Sequence, residues 1–191
     1  MPITAEEFAE QRWDLPEDGR WTELVAGEIV QLLPPNTLHG TSVLNLSKRL
    51  AEFRQQNPGL AGAACFDQGL ITRRQPDSVF VPAVAFIPDV GPFELADQFL
   101  TEKCPLLAVE VVSSNDRRNL ISSKVEIYLE AGVQSVWVID LDAQDVLVVD
   151  QSGAKSHYSG PDHLTENSIL PGFQMPVAEL FQEPEWWAGS R

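Results

Sequence analysis

Glu110 and Lys124 are the two residues of this 191-residue sequence whose types and positions point first to chemistry. Glu110 is the one charge in the run Pro-Leu-Leu-Ala-Val-Glu-Val-Val at 105–112. An ionised side chain in a buried strand is costly unless it is paired, bound to a metal or neutralised. Lys124 falls near the middle of a stripe formed by Leu120, Lys124, Ile127, Tyr128 and Ala131, at about 100° per residue of helix. The helix carrying it follows directly on the strand carrying Glu110, so the two side chains are expected to meet. Two readings stay open at this level. One is a buried ion pair that fixes helix packing, or a lysine that lays its stem on the sheet and reaches water with its ammonium. The other is a phosphodiester-cleaving centre, with the carboxylate on a divalent metal and the lysine orienting water or stabilising charge on phosphoryl oxygens. That centre needs a second carboxylate, because a hard cation is seldom held by one alone.

The elements that would position these groups can be read from pattern. Thr4 and Glu7 have capping-box spacing for a short helix ending before Pro16. Residues 21–25 and 28–33 read as a hairpin turning at Ala26-Gly27 and stopped by Pro34-Pro35. Leu38, Val43, Leu46, Leu50 and Phe53 recur at helical spacing, with Asn36 or Thr37 as cap and Pro58-Gly59 as stop. Strands are expected over 61–71, 79–87 and 105–112, with 88–103 as a loop rich in Pro, Asp and Glu. A second long helix is predicted over 116–131, starting at Asn115 or Asp116 and closing at Gly132. Strands return at 134–140 and 145–150, and the chain closes with the turn Pro171-Gly172, Leu180-Phe181 and a tail reading EWWAGSR. Alternation puts Ala108, Glu110 and Val112 on one face of their strand. Strand, helix, strand over 105–140 is long enough for one right-handed crossover between parallel strands. The fold class is therefore α/β, an α+β-like mixed sheet with flanking helices, in a single domain over 1–181 with 182–191 as an exposed tail.

Composition limits the partners. With 28 acidic and 13 basic residues, net −15, the overall field repels a phosphate backbone, so any DNA contact must be local. Arg73-Arg74 and Arg117-Arg118 are the candidate basic pairs, each equally readable as a solvated loop or helix end. Ser113 and Ser114, just after Glu110, could offer donors to a phosphate, or serve as an ordinary turn and cap. Cys65 and Cys104 lack CxxC spacing and read as core-lining thiols, neither a disulfide nor a zinc site. His157 and His163 lie in turn-rich sequence and receive no role. No apolar run reaches membrane-helix length and the N-terminus lacks signal-peptide order, so a cytoplasmic protein is expected.

The sequence resembles the Uma family, endonuclease-type proteins of the PD-(D/E)XK nuclease superfamily with a restriction-endonuclease-like core. The likeness runs through ELVAGEIV (23–30), a helix carrying His39, VPAVAF (81–86), AVEVVSS (108–114), Lys124-x-x-x-Tyr128-x-x-Ala131-Gly132-Val133 with WVID (137–140), LPGF (170–173) and Leu180-Phe181. It implies Mg²⁺- or Mn²⁺-dependent hydrolysis of DNA by a homodimer, the two-fold axis placing one site on each strand. It also implies Glu110 as metal ligand and Lys124 as the lysine migrated from the strand, where Val112 stands instead. Glu23 is implied near the site as an acid able to substitute, with a solvent-facing hairpin charge as the plain alternative. His39 is implied as a phosphate or water contact, or else a helix-end histidine without a role. Arg117, from the pair that follows Glu110, is a substrate-binding candidate with His39 and Ser113. The family's Pro-Asp is broken here, since position 83 is Ala. Pro76-Asp77 and Pro88-Asp89 each lie six residues away, roughly 20 Å along a strand, too far to fill the position without a register change. Weakened or absent cleavage is the implied consequence, and a silent paralogue used for binding or oligomerisation is the alternative.

Overall fold

The apolar run at 79–87 does not form one strand, because Pro82 has no N–H to give to a ladder. In the computed structural model, which describes residues 1–91, 94, 95, 97–113 and 115–184 without the side chains of 115–118, it splits into β5 (Ser78–Phe80) and β6 (Val84–Ile87). The two halves belong to different sheets. The run at 61–71 splits likewise into β3 (Ala63–Cys65) and β4 (Gly69–Arg73), across Phe66-Asp67-Gln68 with Asp67 at φ 53°. The expected mixed α+β architecture is present, but its strands are divided where one continuous sheet was read.

The hairpin of β1 (Thr22–Val25) and β2 (Glu28–Gln31) turns through Ala26 and Gly27, both at positive φ, the two-residue loop whose twist suits antiparallel strands. A Cβ on Gly27 would lie 2.3 Å from that of Pro2, so the position needs glycine twice over. The hairpin joins β5, β4 and the short β7 (Leu100–Thr101) in a five-stranded sheet of order β2-β1-β5-β4-β7. Strand β7 lies inside the segment read as a loop and pairs parallel to β4. Helix α1 (Ala5–Gln11), with the Thr4 and Glu7 capping box in place, packs Ala5 and Phe8 against Leu24 and Val79 of this sheet.

The larger sheet runs β11-β10-β9-β8-β6-β3, with β8 (Leu107–Val112), β9 (Ser135–Asp140), β10 (Asp145–Asp150) and β11 (Lys155–Ser159). Strands β8 and β9 are parallel across the crossover helix α3 (Asn115–Glu130), as the sequence predicts. Alternation in β8 sends Leu107, Val109 and Val111 into the core beneath α2 (Thr37–Gln56), with Trp137 and Phe173. It sends Ala108 and Val112 toward α3, with Val125 and Tyr128. A two-stranded ladder of β12 (His163–Glu166) and β13 (Phe173–Pro176) and the short helix α4 (Val177–Phe181) complete the α2 side. Asn45 of α2 donates to three carbonyls at the end of α4, those of Glu179, Leu180 and Gln182 at 2.9, 3.2 and 2.8 Å. No helix among the described residues is long and apolar enough to cross a membrane.

Two details differ from the sequence reading. Leu120 is 44% exposed rather than part of the α3 stripe, which is carried instead by Lys124, Val125 and Tyr128. Cys104 is exposed and Cys65 half-buried, because one lies in the approach to β8 and the other on the outermost strand of the larger sheet. The expected tail over 182–191 falls largely outside the described residues, which end at 184.

Candidate functional site

Lys124 grips one carboxylate from each sheet. Its Nζ lies 2.7 Å from Oε1 of Glu23 on β1 and 2.8 Å from Oε1 of Glu110 on β8. The three residues are 3%, 7% and 4% exposed for Glu23, Lys124 and Glu110. Glu23 is indoors because β1 is flanked by β2 and β5, whereas Glu28 on the edge strand β2 is exposed. The Val81 N–H also donates to Glu23 Oε1 at 3.3 Å, so the backbone beside Pro82 helps to hold this acid.

Tyr128, one turn beyond Lys124 on the same face of α3, donates its hydroxyl to Glu110 Oε1 at 2.7 Å. Its ring packs edge-on against Phe80 at 6.0 Å. The sequence reading put Tyr128 on the stripe without giving it a role. The signal was available, since a phenol four residues after a lysine aimed at a buried acid reaches the same place. Burial, then the neighbouring carboxylates, push the Tyr128 hydroxyl well above its ordinary range, so it remains a donor. Burial pushes the Glu23 carboxyl up, and the attraction of Lys124 only partly offsets that. Burial alone would lower Lys124, but Glu110 and Glu23 outweigh it and hold the ammonium charged.

Above the cluster opens a cavity of about 550 Å³ lined by Glu23, Glu110, Ala83, His39, Trp21 and Phe66 among others. Two of the chain's crossings between the sheets, at 66–68 and 81–83, contribute to its wall. His39 sits in the first turn of α2, its backbone N–H capped by Asn36 and its ring edge-on to Trp21 at 5.8 Å. Ser113 is half-buried just past β8 and does not line the cavity. The Arg117 and Arg118 side chains, and Ser114, lie outside the described residues. Arg74 is engaged by Glu6, Asp77 and Glu102, which removes it as a phosphate contact. Asp77 accepts from the Ala5 N–H, the Gln75 N–H and Arg74, and Asp89 is exposed beyond the end of β6. Neither replaces an acid at position 83.

A family model described as "Uma2: Putative restriction endonuclease" matches residues 5–178. The chain belongs to the Uma2 family. The Uma2 fold has a solved counterpart, the crystal structure of a "putative nuclease belonging to DUF820" from Anabaena variabilis, with TM-score 0.74 and 19% identity over 94% of this chain and 98% of that one. No curated protein matches the sequence. This Uma2 chain is thus restriction-endonuclease-like in family and in fold, as the resemblance of its motifs implies.

The divalent ion that the family implies does not fit the donors present. Position 83 offers a methyl group, both carboxylates are drawn onto one ammonium, and no group of three His, Cys, Asp or Glu among the described residues is arranged to hold a metal. Two glutamates and one lysine leave a local charge of about −1, half of what neutralises a divalent cation.

Proposed function

We propose that this protein is a nuclease-type member of its family, with a site for the phosphodiester backbone of DNA built on Glu110, Lys124 and Glu23, in which cleavage is reduced to little or nothing because position 83 carries no carboxylate. The observation that carries this reading is the contact of Lys124 with both glutamates under a cavity whose wall includes Ala83. A buried acid, a second acid from a neighbouring strand and a charged lysine are the groups that phosphodiester hydrolysis uses to organise water and offset charge on phosphoryl oxygens. Here Glu110 and Glu23 line the cavity, and Lys124, buried behind them, offsets their charge at its floor. His39, on the cavity wall, is the candidate contact to phosphate or water. Ser113 and Arg117 keep a substrate-binding role only as part of this proposal. Residues 1–181 act as one domain, and a two-fold dimer would set two sites on a duplex.

Adding a carboxylate tests the reading. In plasmid nicking with Mn²⁺ at low salt, Ala83→Asp is expected to cut and the native chain to cut at a far lower rate or not at all. Equal cutting by both, abolished by Glu110→Ala, would refute the importance assigned to position 83. Silence from both would favour the second reading, a binding or oligomerisation module on the same fold. That reading has its own support in the net charge of −15, which opposes the approach of a polyanion.

A further inference from the structure

We infer that Lys124 is the resident cation of this site, and that its ammonium blocks a latent divalent-cation site made by Glu23 and Glu110. The inference rests on the proposed reading only for the cavity's place in the chemistry. Its test measures cation binding, so the two can fail separately.

Geometry comes first. Two carboxylate oxygens that approach one nitrogen at 2.7 and 2.8 Å are close enough together to share one metal ion at about 2.0–2.6 Å. Each acid has a second donor on the same Oε1, the Val81 N–H on Glu23 and the Tyr128 hydroxyl on Glu110, so their positions do not depend on Lys124 alone. Both also line the 550 Å³ cavity, which gives a cation in solution a route to them. Charge comes second. With Lys124 present the cluster carries about −1 and is satisfied by hydrogen bonds. Without the ammonium it carries −2 in a place nearly closed to water, and a divalent ion becomes the fitting partner. Adding an acid at position 83 while keeping Lys124 reaches the same −2 by the opposite route. As long as position 83 carries no acid, the ammonium and a divalent ion therefore compete for the same two carboxylates.

Thermal unfolding of the full chain in millimolar Mn²⁺ or in EDTA reads this directly, alongside calorimetric titration with Mn²⁺. The native protein is expected to show no shift. Lys124→Met keeps the apolar stem and removes the charge, and its Tm should rise by roughly 5–10 °C at a hundredfold excess of Mn²⁺ over Kd. If Lys124→Met does not fold in EDTA, Mn²⁺ should restore its cooperative transition. The companion Glu23→Gln/Lys124→Met, left with one carboxylate, should fold in EDTA and ignore Mn²⁺. A native chain stabilised by Mn²⁺ as strongly as the variant would overturn the inference. So would a Lys124→Met protein indifferent to Mn²⁺, folded or not, and so would a companion variant that binds Mn²⁺ equally well or fails to fold. Nicking by Ala83→Asp bears on the proposed function and leaves this result untouched.

Discussion

Two clusters in this protein set several acids around one cation, and they differ in almost every physical respect. In the first, Lys124 meets Glu23 and Glu110 in a nearly closed interior. In the second, Arg74 meets Glu6, Asp77 and Glu102 at 2.9, 2.9 and 2.5 Å on the surface, its side chain 41% exposed. The surface cluster ties α1 to the strands beside it in high dielectric, where salt screens each pair and the net contribution is small. The interior cluster has lost most of its hydration, and its attraction only roughly offsets that loss. Replacing it with well-packed apolar residues would serve stability at least as well, so its presence is better explained by what happens in the cavity above it. The lesson is that the shortness of an ion pair does not rank it; burial does.

Four measurements would break or sharpen that contrast. The largest effect is expected from Lys124→Ala in metal-free buffer, a loss of about 3–5 kcal/mol in denaturant unfolding, because two carboxylates remain buried without their counter-charge. A loss no larger than that of Arg74→Ala would erase the distinction between the clusters. Next comes Tyr128→Phe, which removes a hydrogen bond to a buried carboxylate and should cost about 1.5–3 kcal/mol in the same assay.

The third effect is in pH. Because burial raises Glu23, folding takes up a proton there, so its contribution is present below the ordinary glutamate pKa of 4.5 and is lost as pH rises through the higher folded value. The Tm of Glu23→Gln relative to native should therefore climb as pH is raised from about 4 toward 8. A flat or falling difference would mean that Glu23 is not held above its usual range. The smallest effect is Arg74→Ala, a slight destabilisation that molar NaCl should remove, while salt leaves the Lys124→Ala loss largely intact.

The sequence exposes the interior cluster unevenly, for physical reasons. Glu110 is legible because a charge stands alone in an apolar strand, and Lys124 because it interrupts a helical stripe. Glu23 is not legible in the same way. It and Glu28 sit in adjacent alternating strands, and only strand order, which no local pattern encodes, makes one central and the other an edge. The parallel pairing of β8 and β9 followed from crossover length, and the α1 and α2 caps from residue type. The division into two sheets was missed although Pro82 marks it, because hydrophobicity runs unbroken through 79–87 and masks the missing donor. Leu120 was misplaced because a helical stripe gives the face a residue lies on and not whether anything covers that face a turn before Lys124.

The crossing at Val81-Pro82-Ala83 has a mechanical consequence. It hands the chain from one sheet to the other within three residues, and Lys124 clasps an acid from each sheet beside it. A short covalent strap and a non-covalent clasp at one seam resist both shear and opening, as a hinge does when a bolt is driven through its leaves. Without the lysine the clasp is gone, and the straps at 66–68 and 81–83 together with the shared packing of Leu70 and Phe80 are left to hold the seam beside the cavity.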